Sequence, residues 1–217
     1  MIDTILFDLD GTIVNTNELI ISSFLHIMSE QPAAALTREQ IIPHMGLTLE
    51  QQLRTFSGLE DVTALVAAYR EYSSLHHDDM VAPFPEVNEV LARLKAEGFK
   101  LGVVTTKIRA TTTRVLELFE MAQYMDVIIT LDDVERPKPD AQPVQRALAA
   151  LNSSPERALM VGDSPADLQA AAAAGVRSAA VAWSLKGEAE LSKYHPTYIL
   201  HTMSDLYELV LGDPVDR

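Results

Sequence analysis

Residues 1–15 read MIDTILFDLDGTIVN, an apolar run that ends in charge. The run predicts a β-strand over Thr4–Leu9, and two aspartates, Asp8 and Asp10, lie at its end. Side chains two positions apart on a strand point to the same face, so the two carboxylates should converge. Carboxylates this close raise each other's pKa unless a cation lies between them. The stretch therefore predicts a buried strand that ends at a charged site.

Further short apolar runs follow Phe99 and alternate with helical patterns. We expect strands at Leu101–Thr105, Val127–Thr130, Ala158–Val161, Ser178–Ala182 and Tyr198–Leu200. Strands that alternate with helices are typical of a parallel sheet with helices on both faces. The predicted fold class is therefore α/β, with a doubly wound, mainly parallel sheet. Ligands of such sheets bind beyond the carboxyl ends of the strands.

Residues 16–80 have a different pattern. They contain no convincing strand, and apolar residues such as Val62, Leu65 and Val66 follow one another at helical spacing. We therefore predict an all-helical cap domain over residues 16–80. It is inserted into an α/β core domain made of residues 1–15 and 81–217.

The composition excludes several classes of function. The 217 residues are 47% hydrophobic and 22% charged, as in ordinary globular proteins, and include no cysteine, which excludes disulfides and thiol chemistry. The net charge of -14 disfavours nucleic acid and anionic membranes as partners, so a phosphate site would need local cations. The chain shows no secretion signal and no apolar run long enough to span a bilayer, so we expect a cytoplasmic protein. No feature of the sequence indicates an oligomeric state.

Two of the later strand ends carry residues suited to binding phosphate. In LGVVTTK (101–107), a threonine hydroxyl and nearby backbone N–H groups can hold phosphoryl oxygens, although a threonine there can equally be a helix cap. In ERPKPD (135–140), Lys138 lies between two prolines, which hold it in a stiff, extended segment. A lysine restrained in this way is less typical of a solvated surface charge.

A further strand end carries two aspartates, in the stretch GDSPAD (162–167). Ser164, Pro165 and Asp167 fit the N-cap, first and third positions of a helix, which is a sufficient structural account of Asp167 but not of Asp163. For the first motif, a simple turn at Asp10 is the structural alternative. A calcium-binding loop is excluded, because its required glycine and glutamate positions hold Ile13 and Leu19.

In this order, DLDGT, VVTT, Lys138 and GDSPAD resemble the four motifs of the haloacid dehalogenase superfamily. The resemblance covers essentially the whole chain, including a helical cap between the first two motifs. It implies a phosphohydrolase that works through an aspartyl-phosphate, with Asp8 as nucleophile and Asp10 as general acid and base. It also implies Mg²⁺ as cofactor, held by Asp8, Asp163 and the backbone carbonyl of Asp10.

The same resemblance implies roles for the remaining motif residues. Thr105 and the amide of Thr106 would bind the phosphoryl group, with Gly11 also at the substrate, and Lys138 would neutralise its charge. Asp167 would act beside the metal ligands or through a water. Two-component receiver domains share an aspartate, a threonine and a lysine, but the adjacent acid and the large insertion argue against a phospho-switch.

The substrate expectation rests on four further stretches, NTNELI (15–20), TTKIR (105–109), TLDDV (130–134) and AWSLKG (182–187). They resemble a group of bacterial inorganic pyrophosphatases within the superfamily, which implies a small phosphorylated substrate, with pyrophosphate favoured. Lys107 and Arg109 are then candidates to bind the leaving phosphate, and Arg54 in the cap is another. A phosphatase for phosphoglycolate or another small phosphomonoester, and a phosphosugar mutase, stay open because they share the motifs.

Overall fold

The computed structural model describes residues 1–29 and 36–212, in which strands and helices alternate. The strands are β1 (Thr4–Phe7), β2 (Val14–Asn15), β3 (Ala82–Pro83), β4 (Lys100–Val104), β5 (Val127–Ile129), β6 (Ala158–Gly162), β7 (Arg177–Val181) and β8 (Tyr198–Leu200). The helices are α1 (Asn17–Ser29), α2 (Arg38–Ile41), α3 (Leu49–Ser57), α4 (Thr63–Met80), α5 (Val87–Ala96), α6 (Arg109–Leu118), α7 (Gln142–Ala150), α8 (Pro165–Ala173), α9 (Glu188–Leu191) and α10 (Asp205–Leu211). Among the helices in these two ranges, none has the length and apolar character needed to cross a bilayer.

Six strands form one parallel sheet in the order β5-β4-β1-β6-β7-β8. Strand β1 pairs with β4 on one side and with β6 on the other, so the first motif leaves the middle of the sheet. Because all six strands run the same way, their carboxyl ends share one edge. The predicted parallel sheet is confirmed, and its strands end within two residues of the predicted positions.

Strand β1 shows why the sheet needs helices on both faces. Ile5 and Phe7 pack in one hydrophobic cluster with α5 and α6, whereas Leu6 packs in a second cluster with α7 and α8. Successive side chains of a strand point to opposite faces, so an apolar run with no polar alternation must be covered twice. The predicted doubly wound α/β fold is therefore confirmed.

A short two-stranded ribbon joins the sheet to the inserted helices. Strand β2 pairs antiparallel with β3, with Val14 opposite Pro83 and Asn15 opposite Ala82. The chain leaves the core along one strand of this ribbon and returns along the other. The ribbon was not predicted, because strands of two residues have no readable alternation.

Helices α1–α4 lie between β2 and β3 and have a hydrophobic cluster of their own. Phe24 of α1 lies at its centre, with ring centroids 5.1 Å from Phe56 and 4.8 Å from Tyr69. The expected helical cap over the α/β core is thus present. The domain bounds 16–80, 1–15 and 81–217 stay a prediction, and residues 30–35 and 213–217 within them lie outside the described residues.

Candidate active site

The floor of the site is an ion pair between the first motif and the third. Asp8 lies just past β1, and its amide still donates to Val161 of β6 at 2.9 Å. Lys138 donates from Nζ to Asp8 Oδ1 at 2.6 Å and to the Val104 carbonyl at 2.8 Å. The two residues are only 5% and 1% exposed. A buried ammonium and carboxylate at this distance form a charge-assisted hydrogen bond that fixes both groups.

Asp167 holds the other side of Lys138. One of its oxygens accepts from Lys138 Nζ, and Oδ2 accepts from the amide and hydroxyl of Ser164 at 3.0 and 2.6 Å. The capping box at the start of α8 forms as predicted, with Pro165 in the first turn. Asp167 thus caps α8 and also binds Lys138, while its expected role beside the metal ligands or through a water stays a prediction.

The pKa values of these groups reflect burial and mutual charge. Burial raises the pKa of Asp8 well above its ordinary value, and the charge of Asp167 raises it further. Burial would lower the pKa of Lys138, but the charges of Asp167 and Asp8 outweigh it and hold that pKa above its ordinary value. Lys138 is therefore a permanent cation in this cluster.

Asp163 lies after β6 and approaches the backbone of the first motif. A Cβ at Gly11 would lie 2.6 Å from Asp163 Oδ2, and Gly11 has a φ of +84°, so only glycine fits there. Lys186 extends its Nζ to within 3.4 Å of the same carboxylate oxygen. Burial raises the pKa of Asp163, and the Lys186 charge opposes that shift. Gly11 thus allows Asp163 to approach the strand end.

Carboxylate oxygens of Asp8, Asp163 and Asp167 all lie within 4.8 Å of one another. Three hard oxygen donors, all buried, fit Mg²⁺ better than a softer ion. The ammonium groups of Lys138 and Lys186 do not neutralise three negative charges, so a divalent cation fits the charge of the cluster. The Asp10 carboxylate lies outside this group of three, which leaves its backbone carbonyl as the predicted ligand.

The second motif lies beside Asp10 and contacts it through Lys107. Lys107 Nζ contacts the two carboxylate oxygens of Asp10 at 3.0 and 3.1 Å. The Thr105 hydroxyl, buried at the strand end, accepts from the Lys107 amide at 3.1 Å. The Thr106 hydroxyl donates to the Gly46 carbonyl in the loop before α3 at 3.1 Å, which links the core to the cap. The structure therefore brings the predicted residues Asp10, Thr105, Thr106 and Lys107 together at one edge.

A cavity of about 310 Å³ lies above this floor, at the small end of the usual range for ligand sites. Asp8, Asp10 and Asp163 line it from the core. The cap supplies both apolar and polar residues, namely Leu19, Ile20, Met45, Gly46, Leu47, Leu49, Glu50, Gln52, Tyr69, Arg70, Ser73, Ser74 and His77. The cavity thus joins a charged floor to a mixed cap wall.

The structure places two of the candidate arginines away from this cavity. The Arg109 guanidinium binds Asp133 and donates to the Ile128 carbonyl at 3.0 Å, while its amide donates to Asp132. Arg54 donates to the Glu60 carbonyl within the cap at 3.2 Å. Both side chains thus have partners away from the cavity. The expectation for Arg109 rested on its nearness to the second motif in sequence, which does not determine where a helical side chain points.

Comparisons with known proteins agree with this geometry. The family model of the haloacid dehalogenase-like hydrolases matches residues 5–181 of the chain. The chain belongs to this family. As a haloacid dehalogenase-like hydrolase, it has the four motifs at the shared carboxyl edge of its sheet. The expected superfamily membership and hydrolase class are therefore confirmed.

Curated relatives of this hydrolase match over nearly their whole length. The pyrophosphatase PpaX of Bacillus anthracis (strain A0248) is 45% identical over 214 residues, which cover 98% of this chain and 97% of the relative. The protein of the same name from Bacillus cereus (strain G9842) is 44% identical, with 96% of each chain covered. A solved haloacid dehalogenase-like family hydrolase from Streptococcus pneumoniae is 27% identical, with a TM-score of 0.84 and coverage of 96% and 98%.

Sequence reasoning missed Lys186, Arg70 and His77 of this hydrolase as site residues. Lys186 lies in AWSLKG, one of the stretches that resemble bacterial pyrophosphatases. The stretch itself contains no signal that predicts the contact with Asp163. Arg70 and His77 are seven positions apart on α4, a spacing that places them on one helix face. That spacing is the available signal in the sequence, and it is weaker than the apolar pattern of the same helix.

Proposed function

We propose that this protein is a Mg²⁺-dependent inorganic pyrophosphatase that forms an aspartyl-phosphate on Asp8. The observation that carries the chemistry is the buried Asp8 carboxylate, fixed by Lys138 at the floor of a closed-in cavity. The names of the relatives at 44–45% identity support pyrophosphate as the substrate. The cytoplasmic location stays a prediction.

In the first half-reaction, an Asp8 carboxylate oxygen attacks one phosphorus atom of pyrophosphate. A bond forms between that oxygen and phosphorus, and the bridging P–O bond breaks with its electron pair going to the leaving phosphate. Asp10 donates a proton to that leaving oxygen. Before attack, the second phosphoryl group of bound pyrophosphate replaces Asp10 as the partner of the Lys107 ammonium. Asp10 then holds the proton that it donates, and it regains one from water in the second half-reaction.

In the second half-reaction, water attacks the phosphorus atom of the aspartyl-phosphate. Asp10, now ionised, accepts a proton from this water, and the bond between phosphorus and the Asp8 oxygen breaks. The Asp8 carboxylate is regenerated and a second phosphate is released. One difficult hydrolysis becomes two displacements at the same position.

The surrounding residues offset the repulsion between a carboxylate and a phosphate. Lys138 places a permanent positive charge beside Asp8, and Thr105 with the amide of Thr106 binds phosphoryl oxygens. Mg²⁺, when held by Asp8, Asp163 and the Asp10 carbonyl, supplies further charge neutralisation. Asp167 keeps Lys138 in place through its contact with Nζ. The cap covers the floor and reduces the access of bulk water.

The apolar part of the cap wall favours a second candidate function. Leu19, Ile20 and Leu47 line the cavity, and apolar side chains suit an organic leaving group better than inorganic phosphate. A phosphatase for a small phosphomonoester such as phosphoglycolate is therefore the alternative. The same floor chemistry serves both substrates.

A substrate panel tests the proposed function. Purified protein with Mg²⁺ is assayed for phosphate release from pyrophosphate, phosphoglycolate and a hexose phosphate. We expect the highest kcat/KM for pyrophosphate, and no release by Asp8→Asn on any substrate. A clear preference for phosphoglycolate or a hexose phosphate would reject pyrophosphate and leave the Asp8 chemistry standing.

A further inference from the structure

Helix α4 presents a polar stripe to the cavity that the proposed chemistry does not use. Arg70, Ser73, Ser74 and His77 are spaced at three, four and seven residues, which places them on one face of the helix. All four line the cavity that also contains Asp8 and Asp163. A guanidinium, two hydroxyls and an imidazole are groups that bind the oxygens of a phosphoryl group.

Arg70 has little to hold it within the protein. Its nearest acidic partner in the described part of the chain is Glu50, which also lines the cavity, with 3.9 Å between guanidinium nitrogen and carboxylate oxygen, the outer limit for an ion pair. Its side chain is 46% exposed and also lines the cavity. A cation at the mouth of a cavity, in a chain of net charge -14, attracts an anion locally where the overall field repels it.

His77 has one ring nitrogen bound and one without a partner. Nδ1 lies 2.7 Å from Asp78 Oδ1, and Nε2 is buried with no hydrogen-bond partner in residues 1–29 and 36–212. The residue is 2% exposed, so water does not readily satisfy this nitrogen. Buried polar atoms are almost always paired, so this nitrogen at the cavity wall is available to a partner that the described residues do not supply.

The core contributes two cations that complete the same wall. Arg114 of α6 contacts Asp78 at 3.1 Å and donates to the Ser74 carbonyl at 3.2 Å, so it ties α4 to the core. Lys107 contacts the two carboxylate oxygens of Asp10 at 3.0 and 3.1 Å. Both residues line the cavity. Positive charge thus comes to the cavity from the cap and the core together.

We propose that the polar face of α4, defined as Arg70, Ser73, Ser74 and His77, is the binding site for the second phosphoryl group of a diphosphate. The phosphoryl group under attack lies on the floor at Asp8, and the leaving phosphate binds the polar face. Substrates with two linked phosphoryl groups are then selected over monoesters. This inference rests on the proposed function and names the side chains that give it specificity.

Two non-hydrolysable probes distinguish binding at the polar face from binding at the floor. Methylenediphosphonate carries two phosphonyl groups and methylphosphonate one, and both are titrated calorimetrically into protein with Mg²⁺. We expect the wild type to bind the diphosphonate at least about tenfold more tightly. Arg70→Gln and His77→Gln should each remove about tenfold of diphosphonate affinity and leave methylphosphonate affinity unchanged.

Two neighbouring residues provide matched controls. Arg38→Gln changes a cap arginine that pairs with Glu18 at 2.7 Å, and His76→Gln changes a histidine whose ring lies 4.4 Å from that of Tyr72. Neither residue lines the cavity described above, so both variants should bind the two probes as the wild type does. Thermal melting of every variant identifies any that fails to fold. If His77→Gln fails to fold, Arg70→Gln still tests the proposal, because Arg70 is exposed and its replacement should not affect folding.

Binding and turnover measurements together distinguish failure of the polar-face site from failure of the proposed function. Arg70→Gln should also lower kcat/KM for pyrophosphate by about tenfold to a hundredfold and leave p-nitrophenyl phosphate within about twofold. Equal losses on both substrates, or no loss of diphosphonate affinity, would overturn the polar-face site. A wild type that binds the diphosphonate through Arg70 but prefers a monoester in turnover would reject the proposed function and retain the site.

Discussion

The floor of the cavity and its cap wall are built in different ways. On the floor, Asp8, Lys138 and Asp167 are buried and bind one another directly. On the wall, Arg70 is half-exposed and its acidic partner lies 3.9 Å away. A rigid floor suits bond formation, which needs fixed geometry, whereas a loosely paired wall can exchange its contacts for a ligand. The comparison indicates that chemistry and substrate choice reside in separate parts of the chain.

The largest effect should come from breaking the floor with Lys138→Met. This change leaves Asp8 and Asp167 buried without their cation, so we expect a loss of about 3–5 kcal/mol in the free energy of unfolding. Turnover should fall by about a thousandfold or more. Urea unfolding and phosphate release measure the two effects. Lys193→Met, at a lysine side chain that is 67% exposed, should change stability by no more than about 0.5 kcal/mol. Equal stability of the two variants would contradict a tightly coupled floor.

The charge of the floor should also be visible in the pH dependence of metal-free stability. Burial raises the pKa of Asp8 above its ordinary 3.8, so between these two pKa values the folded protein keeps a proton that the unfolded chain releases. Stability should therefore fall as pH rises through this window, by up to about 1.4 kcal/mol per pH unit for this group. Denaturant unfolding at several pH values with EDTA measures it. Asp8→Asn should show a shallower fall, and parallel curves would contradict the prediction.

Lys186 sharpens the comparison because its buried ammonium contacts Asp163, one of the three carboxylates that could hold a metal. Its Nζ lies 3.4 Å from Asp163 Oδ2, and its side chain is 3% exposed. We expect Lys186→Met to bind Mg²⁺ about tenfold more tightly (~1.4 kcal/mol), since Asp163 then lacks another cation. Calorimetric titration with Mg²⁺ measures the affinity, with Lys193→Met as control. Unchanged or weaker binding would show that Lys186 positions Asp163 rather than competing with the metal.

The smallest effect should come from Arg109→Ala. Its guanidinium binds Asp133 and the Ile128 carbonyl, and exposed ion pairs contribute about 0–1 kcal/mol. We expect pyrophosphate kcat/KM within about twofold of the wild type, whereas Lys107→Ala should lower it about tenfold or more. Steady-state kinetics of both variants check this. A loss at Arg109 as large as that at Lys107 would place Arg109 at the substrate after all.

Features set by a strand end or by a single helix turn were predictable from the sequence, whereas contacts between distant segments were not. Asp8 and Asp163 each come directly after a strand, and parallel strands bring their carboxyl ends to one edge. Lys138 lies in the loop beyond β5, where its position between two prolines was the signal. The α8 cap likewise depends on residues within one turn. The ribbon of β2 and β3 and the Lys186–Asp163 contact join short segments far apart in sequence. Their partners depend on tertiary packing, which local patterns do not contain.

Direct detection of phosphate on Asp8 tests the central claim most closely. Wild-type protein is mixed with pyrophosphate and Mg²⁺, quenched rapidly in acid, digested and analysed by mass spectrometry. We predict one phosphoryl group on the peptide that contains Asp8, lost on hydroxylamine treatment, longer-lived in Asp10→Asn and absent from Asp8→Asn. Release of phosphate from pyrophosphate at the wild-type rate by Asp8→Asn, with no phosphorylated peptide in either protein, would contradict the account.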